Sequence, residues 1–295
     1  MYFKKKLIKN GALALICATS LSVIAADKCE DPKVLRFSMV PTQDSVGELS
    51  KYKPVMDLLQ KNTGKKIEFY MPTSYSSVVE ALLGKWVDIA VLGPESYVIA
   101  KNKDKTIEVF GTYHRLGNGI QPEGPGYKSV LITKKGSKFT NVESLKGGVL
   151  ALVDPASTSG SLVPENLFPK SVKIPPLKQY FSRIVFSGGH DLSAISVVEG
   201  KVDGAFVATH RFMEVVKSGK IQQDNFNFIW YSNLIPQDPF IYRNTLCEDL
   251  KNKIANTFYT LDQVPEGKVY LDNVKSIKFV KMKDSDYDVV REATK

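Results

Sequence analysis

Short apolar runs alternate with amphipathic stretches along most of the chain, and glycine or proline marks most of the changeovers. Val34-Leu35-Arg36-Phe37-Ser38-Met39-Val40 reads as a first strand stopped by Pro41. Lys53 to Asn62 carries Val55, Leu58 and Leu59 at helical spacing and stops at Gly64. Lys66 to Tyr70 predicts a strand, Ser74 to Leu83 a helix, and Val87 to Leu92 a strand closed by Gly93-Pro94. A helix over Ser96 to Lys101 and a strand over Ile107 to Tyr113 follow. This β-α-β-α-β-α-β order implies a parallel sheet covered by helices.

A Gly/Pro-rich segment, Gly117 to Gly126, interrupts the pattern. Strands are then expected over Tyr127–Lys134, Val149–Val153, Ser182–Phe186, Val202–Val207 and Phe226–Tyr231. Helices are expected over Asn141–Leu145, Ser159 to about Phe168, Asp191–Glu199 and His210–Lys217. The tail predicts two helices, Asn244–Leu261 and Asp284–Ala293, around a stretch containing Tyr and Val.

One echo organises these elements. Val78-Val79-Glu80-Ala81-Leu82-Leu83-Gly84-Lys85 leads into Val87-Asp88-Ile89-Ala90, and Val197-Val198-Glu199-Gly200-Lys201 leads into Val202-Asp203-Gly204-Ala205. Two α/β lobes of like construction produce such an echo, and Asp88 and Asp203 then read as structural. Ligands of open α/β sheets sit beyond the C-terminal strand ends, so two facing lobes make a cleft. The expected division is residues 27–125 with 236–295 for one lobe and 126–235 for the other. The crossings fall near Pro125-Gly126 and Ile235-Pro236.

The N-terminus changes the picture of where the chain works. Lys4, Lys5, Lys6 and Lys9 precede an apolar run from Gly11 to Ile24 and small residues at Ala25-Ala26. That is the pattern of a secretory signal over residues 1–26, cleaved after Ala25 or Ala26, and it predicts a soluble periplasmic protein. An uncleaved anchor is the alternative reading. Cys17 suggests no lipid anchor, because Ile16 stands where a small residue is needed.

Removing the leader's four lysines lowers the net charge from +9 to about +5. That excess suits an anionic ligand and falls far short of a nucleic-acid footprint, so no nucleic-acid partner is expected. Cys29 and Cys247 remain, and in an oxidising compartment they predict one disulfide, with two buried free thiols as the alternative. The three histidines form no metal-binding spacing, so no metal or cofactor is expected.

The candidate chemistry centres on Asp154-Pro155-Ala156-Ser157-Thr158-Ser159-Gly160-Ser161, which follows the strand ending at Val153. Hydroxyls beside the unpaired N–H groups of a helix start make an anion cradle. The same cluster also reads as an ordinary N-cap. The stretch has no Lys or Arg, so it would hold an anion with neutral donors. It is no P-loop, because no Gly-Lys-Ser/Thr follows.

With Pro72-Thr73-Ser74-Tyr75, Gly93-Pro94-Glu95-Ser96-Tyr97, Pro125-Gly126-Tyr127-Lys128-Ser129-Val130, Ser187-Gly188-Gly189-His190 and Ile235-Pro236-Gln237-Asp238-Pro239, this loop resembles the periplasmic phosphonate/phosphite-binding proteins of ABC importers, the PhnD-like family. The resemblance runs from about Leu35 to Asp262. It implies a two-lobed type II periplasmic binding fold, each lobe a mixed, mostly parallel sheet flanked by helices, closing by hinge motion. It also implies a monomeric receptor that delivers a small phosphorus oxyanion to a membrane permease and is not an enzyme.

By the same resemblance, Ser157, Thr158 and Ser159 contact the phosphorus-bound oxygens, Tyr75 and Tyr127 wall the cleft, and His190 is a second-lobe donor. Asp238 corresponds to an acidic ligand contact, which selects a monoprotonated oxyanion or an aminoalkyl phosphonate, since a carboxylate repels an oxyanion unless one oxygen carries a proton or the ligand carries an amine. The aminophosphonate binders carry a second acid where this chain has His210. That favours phosphite, methylphosphonate or phosphate. Tyr75 and Tyr127 also read as core aromatics, His190 as a cap of the next helix, and Asp238 as an Asx turn. Asp191 reads as an N-cap and Tyr97 as packing behind the cleft.

Two other functions fit the same residues. A periplasmic sensor subunit for a membrane kinase or chemoreceptor would use the same site. A secreted phosphoester hydrolase would use Ser157 or Ser159 with His190 and Asp238, although no Gly-x-Ser-x-Gly elbow is present.

Overall fold

Why the alternating pattern yields two sheets is visible in the computed structural model of the protein, which describes residues 1–2, 29–42 and 45–294. The charged and apolar parts of the expected signal, and its cleavage point, lie outside these residues. The first lobe opens with β1 (Val34–Met39), α1 (Ser45–Thr63), β2 (Lys66–Tyr70), α2 (Tyr75–Leu83), β3 (Ile89–Val91), α3 (Pro94–Lys103) and β4 (Ile107–Arg115). After β5 (Gly126–Tyr127), the second lobe holds β6 (Ser129–Lys134), β7 (Val149–Leu152), α4 (Val163–Asn166), α5 (Phe168–Val172) and α6 (Leu177–Tyr180). It continues with β8 (Arg183–Phe186), α7 (His190–Val198), β9 (Gly204–Ala208), α8 (Thr209–Lys217) and β10 (Phe226–Tyr231). The chain returns through β11 (Ile235–Pro236) to β12 (Phe240–Arg243), α9 (Glu248–Tyr259), α10 (Pro265–Asn273), β13 (Ser276–Lys281) and α11 (Asp288–Ala293).

The first sheet has the order β13-β4-β12-β3-β1-β2 and the second β10-β6-β9-β7-β8. Without β13 the two are one plan, β2-β1-β3-β12-β4 and β8-β7-β9-β6-β10. Strands β1, β2 and β3 are parallel, as are β7, β8 and β9. The strand following each crossing, β6 or β12, inserts antiparallel. The uninterrupted parallel run expected over residues 34–113 is therefore corrected: β12 separates β3 from β4.

The echoed aspartates repeat as local structure. Asp88 N–H donates to the Arg36 carbonyl (2.9 Å) while its carboxylate accepts the Arg36 N–H (2.8 Å). Asp203 does the same with Val149 in the second lobe (2.9 and 2.7 Å). Each aspartate thus pins the start of one strand to its parallel neighbour, which is the structural role expected of both.

Both faces of these strands are covered, which explains their near-continuous apolar runs. Ile89 and Val91 join the core under α1, α9 and α10, whereas Ala90 and Leu92 join the core with α2, α3 and α11. In the second lobe Ala205 and Val207 face one core and Phe206 the other. Tyr97 is fully buried in such a core and donates to Asp284, so it packs as expected.

Three tail elements depart from the expected pattern. Residues 240–243 form β12, and the Tyr/Val-containing stretch resolves into α10 and β13. The disulfide is present between Cys29 and Cys247, 218 residues apart. Beside it, Glu30 pairs with Arg243 at 2.6 Å, so the start of the described chain is fastened to the return segment. No helix among the described residues is long and apolar enough to cross a membrane.

Between the sheets, β5 and β11 pair antiparallel, Tyr127 opposite Ile235 and Gly126 opposite Pro236. This ribbon carries the two chain crossings.

Candidate functional site

The hydroxyl loop is built onto the end of β7. Asp154 Oδ1 accepts the Ala156 N–H (2.8 Å), which makes the turn. Ser157 is the N-cap, its hydroxyl accepting the Gly160 N–H (3.2 Å). The helix expected from Ser159 to Phe168 is broken instead: a π turn over Thr158–Leu162 leads into α4, and α5 is separate. Pro164 is the physical reason, since it has no N–H to give the Gly160 carbonyl. That carbonyl accepts the Val153 N–H (3.0 Å) and binds the loop to its strand. A Cβ on Gly160 would come within 2.4 Å of the Val153 side chain, so only glycine permits this approach.

First-lobe groups meet the loop directly. The Glu95 N–H donates to Thr158 Oγ1 (2.8 Å) and the Ser96 hydroxyl to the Ala156 carbonyl (2.7 Å). Tyr75, the first residue of α2, is positioned by a capping box between Ser74 and Ser77. Its hydroxyl interacts with Ser157, and that of Tyr127 with Thr158 and Ser159. Burial holds both phenols well above their ordinary pKa, so both remain protonated donors. The tyrosines are core residues as well. Tyr75 packs with Val40, Val153 and Ala156 across the lobes, and Tyr127 with Val163, Ala208 and Ile235.

The other side of the site is ionic. Asp238, from the return crossing, lies 3.7 Å from His210 Nε2 and 3.6 Å from the Arg211 guanidinium. Arg211 also pairs with Glu214 (3.0 Å), and Arg115 reaches Glu214 from the first lobe (3.4 Å). Burial pushes the Asp238 carboxyl up, but His210, Arg211 and Arg115 outweigh it and hold it below its ordinary range. Burial likewise opposes ionisation of Glu214, yet the two guanidiniums hold it down to about 2.

Burial drives His190 down to about 3, with His210 and Arg211 adding to the effect. Burial also takes His210 down to about 4, against the pull of Asp238. Both imidazoles are therefore neutral, and Arg211, Arg115, Glu214 and Asp238 balance in charge.

His190 is the first residue of α7, whose N-cap is Gly189, so neither His190 nor Asp191 is the cap. The Ala208 N–H donates to His190 Nδ1 (3.1 Å), which leaves the proton on Nε2. His210 stacks edge-on against Tyr127 at 4.7 Å, and neither ring nitrogen has a hydrogen-bond partner.

All eight residues singled out from the sequence are thus buried and electrostatically linked: Tyr75, Tyr127, Ser157, Thr158, Ser159, His190, His210 and Asp238. Ser161 is turned away and donates to Glu165 (2.8 Å). Arg211 was missed. It directly follows His210, and the signal for it was Glu214 three residues on, an i,i+3 partner able to carry a buried guanidinium. Among the described residues no group of three or more His, Cys, Asp or Glu is arranged to hold a metal.

A family model described as "ABC transporter, phosphonate, periplasmic substrate-binding protein" matches residues 37–287. The phosphate-import protein PhnD of Mycolicibacterium smegmatis is 28% identical over 280 residues, covering 88% of this chain and 84% of that protein. The phosphonates-binding periplasmic protein of Escherichia coli K12 is also 28% identical, over 274 residues, with 91% and 78% covered. A solved binding-protein component of an ABC phosphonate transporter from Pseudomonas aeruginosa superposes with a TM-score of 0.79 at 27% identity, covering 90% of this chain and 86% of that one.

Proposed function

The chain belongs to the family of phosphonate periplasmic substrate-binding proteins of ABC transporters, and on that premise we propose that it captures a tetrahedral phosphorus oxyanion between its lobes and delivers it to a membrane permease. The observation that carries this reading is the meeting of the Ser157-Thr158-Ser159 loop with two protonated tyrosines beside a charge-balanced cluster. Such a site offers many donors and no net charge. It counts oxygens rather than attracting every anion.

Asp238 adds a test of protonation. An ionised carboxylate repels a fully deprotonated oxyanion but accepts a hydrogen bond from a monoprotonated one. His210 is neutral and the acid four residues on, Glu214, is already paired with Arg211 and Arg115, so a ligand amine gains little, and phosphite, methylphosphonate or phosphate fits better than an aminoalkyl phosphonate. The two relatives at equal identity are named for phosphate and for phosphonates, so identity alone does not choose between them.

The reading is of a monomer that binds without turnover. In a Ser-His-Asp triad the acid holds the histidine Nδ1–H. Here His190 Nδ1 accepts a backbone N–H, and Asp238 stands beside His210 instead. The lobes are taken as residues 27–125 with 236–295, and 126–235, following export and cleavage after Ala25 or Ala26.

Calorimetric titration with phosphite, methylphosphonate, 2-aminoethylphosphonate, phosphate and sulfate tests the proposal. At least one phosphorus compound should bind at about micromolar Kd or tighter, roughly 8 kcal/mol, and sulfate should not compete. Absence of binding to every phosphorus compound would overturn it.

A further inference from the structure

Beside the cleft, a cavity of about 190 Å³ opens between the lobes, far above the roughly 10–15 Å³ that admits one water. Lys51, Arg115 and Lys275 line it from the first lobe, and His210, Glu214 and Lys217 from the second. Four cations therefore face one carboxylate, and that carboxylate is already engaged by Arg211 and Arg115. Lys51 is paired with Glu48 (2.6 Å). Among the described residues, no carboxylate pairs with Lys217 or Lys275.

Two observations turn this basic wall into a site. The buried Arg115 has an unpartnered Nε, and the buried His210, whose Nε2 lies 3.7 Å from Asp238, has no hydrogen bond within 3.5 Å at either ring nitrogen. Unsatisfied buried donors are costly and call for an acceptor. Lys217 and Lys275 line the cavity from opposite lobes, and burial, followed by the charge of Lys275, depresses the Lys217 pKa. An anion between them would offset that charge.

We propose that this cavity is an anion subsite joined to the cleft through His210, and that the ligand carries a carboxylate on its phosphorus substituent. The inference rests on the phosphorus-oxyanion reading and, within it, moves the preferred ligand from phosphite, methylphosphonate or phosphate to a phosphonate with an anionic tail. Asp238 and the Ser157–Ser159 loop hold the phosphorus group, while Lys217, Lys275 and Arg115 hold the carboxylate.

Titration of the mature protein with methylphosphonate, phosphonoacetate and 2-aminoethylphosphonate tests this, together with a Lys217→Ala/Lys275→Ala variant altered at solvent-accessible side chains. Phosphonoacetate should bind at least about tenfold more tightly than methylphosphonate, and the double variant should lose that advantage while keeping its methylphosphonate affinity. Equal or weaker phosphonoacetate binding would overturn the subsite and leave the parent reading intact, as would an advantage that survives in the double variant. Failure of the wild type to bind any of these compounds, phosphite or phosphate would overturn both.

Discussion

At the end of β7 the chain turns into Ser157, Thr158 and Ser159, whereas at the matching end of β1 it passes through Val40, Pro41 and Thr42. At the end of β9 it turns into Thr209, His210 and Arg211; at the matching end of β3, into Gly93, Pro94 and Glu95. The strand plan is shared, but the hydroxyl cluster, His190 and His210 lie in the second lobe. The first lobe contributes Tyr75, Asp238 from the return crossing, Arg115 to the ionic cluster, and two hydrogen bonds aimed at the loop itself, from Glu95 N–H and Ser96. A duplicated frame thus fixes where a site forms, and on the proposed function the turns beyond the strands decide which lobe recognises the ligand and which covers it.

The largest expected effect comes from removing the second lobe's hydroxyls. A Ser157→Ala/Thr158→Ala/Ser159→Ala variant should lose three hydrogen bonds to a charged ligand, at least about 4.5 kcal/mol or roughly a thousandfold in calorimetric Kd. Tyr75→Phe, from the covering lobe, should cost no more than about tenfold. Equal losses would erase the asymmetry.

The second lobe's histidines should also make stability fall in acid. Their folded pKa values, about 3 and about 4, lie below the ordinary 6.5, so the unfolded chain binds protons first. The stability they contribute is complete above pH 6.5 and is lost as pH falls toward 4, by on the order of 3 kcal/mol for each histidine. His190→Gln and His210→Gln should each flatten the decline in thermal midpoint over that range.

The echoed aspartates give a comparison that is equal in geometry and unequal in charge. Asp88 also pairs with the buried Arg243 (2.6 Å), whereas the Asp203 carboxylate forms no ion pair within 4.0 Å among the described residues. Asp88→Asn should destabilise by about 2–3 kcal/mol and Asp203→Asn by about 1 kcal/mol in urea unfolding. The smallest effect is expected from Ser96→Ala, under about 1 kcal/mol of ligand affinity, through loss of a single contact that closes the lobes.

The alternating elements of both lobes were legible because their strands are covered on both faces and read as apolar runs. The tail was not. β12 is four residues hemmed by Pro239 and ends in Arg243, whose charge is balanced by Asp88 and Glu30, far away in sequence. α10 carries Gly267, which reads as a helix breaker; a Cβ there would meet the Leu261 carbonyl at 2.1 Å, so packing demands the glycine. β13 is an edge strand with only two fully buried positions, and it shows little apolar pattern. In the site, the loop was visible as a motif, whereas Arg211 is marked only by its ion-pair partners, Glu214 on its own helix and Asp238 on the return crossing.

The central claim, that the second lobe's loop holds the phosphorus group while the first lobe covers it, is tested most directly by a crystal structure of the mature protein with methylphosphonate. The account predicts phosphonate oxygens within about 3.2 Å of the Ser157, Thr158 and Ser159 donors and of the Tyr75 and Tyr127 hydroxyls, with Asp238 accepting a hydrogen bond from the ligand's P–OH. A phosphonate bound away from that loop, or held mainly by first-lobe groups, would contradict it.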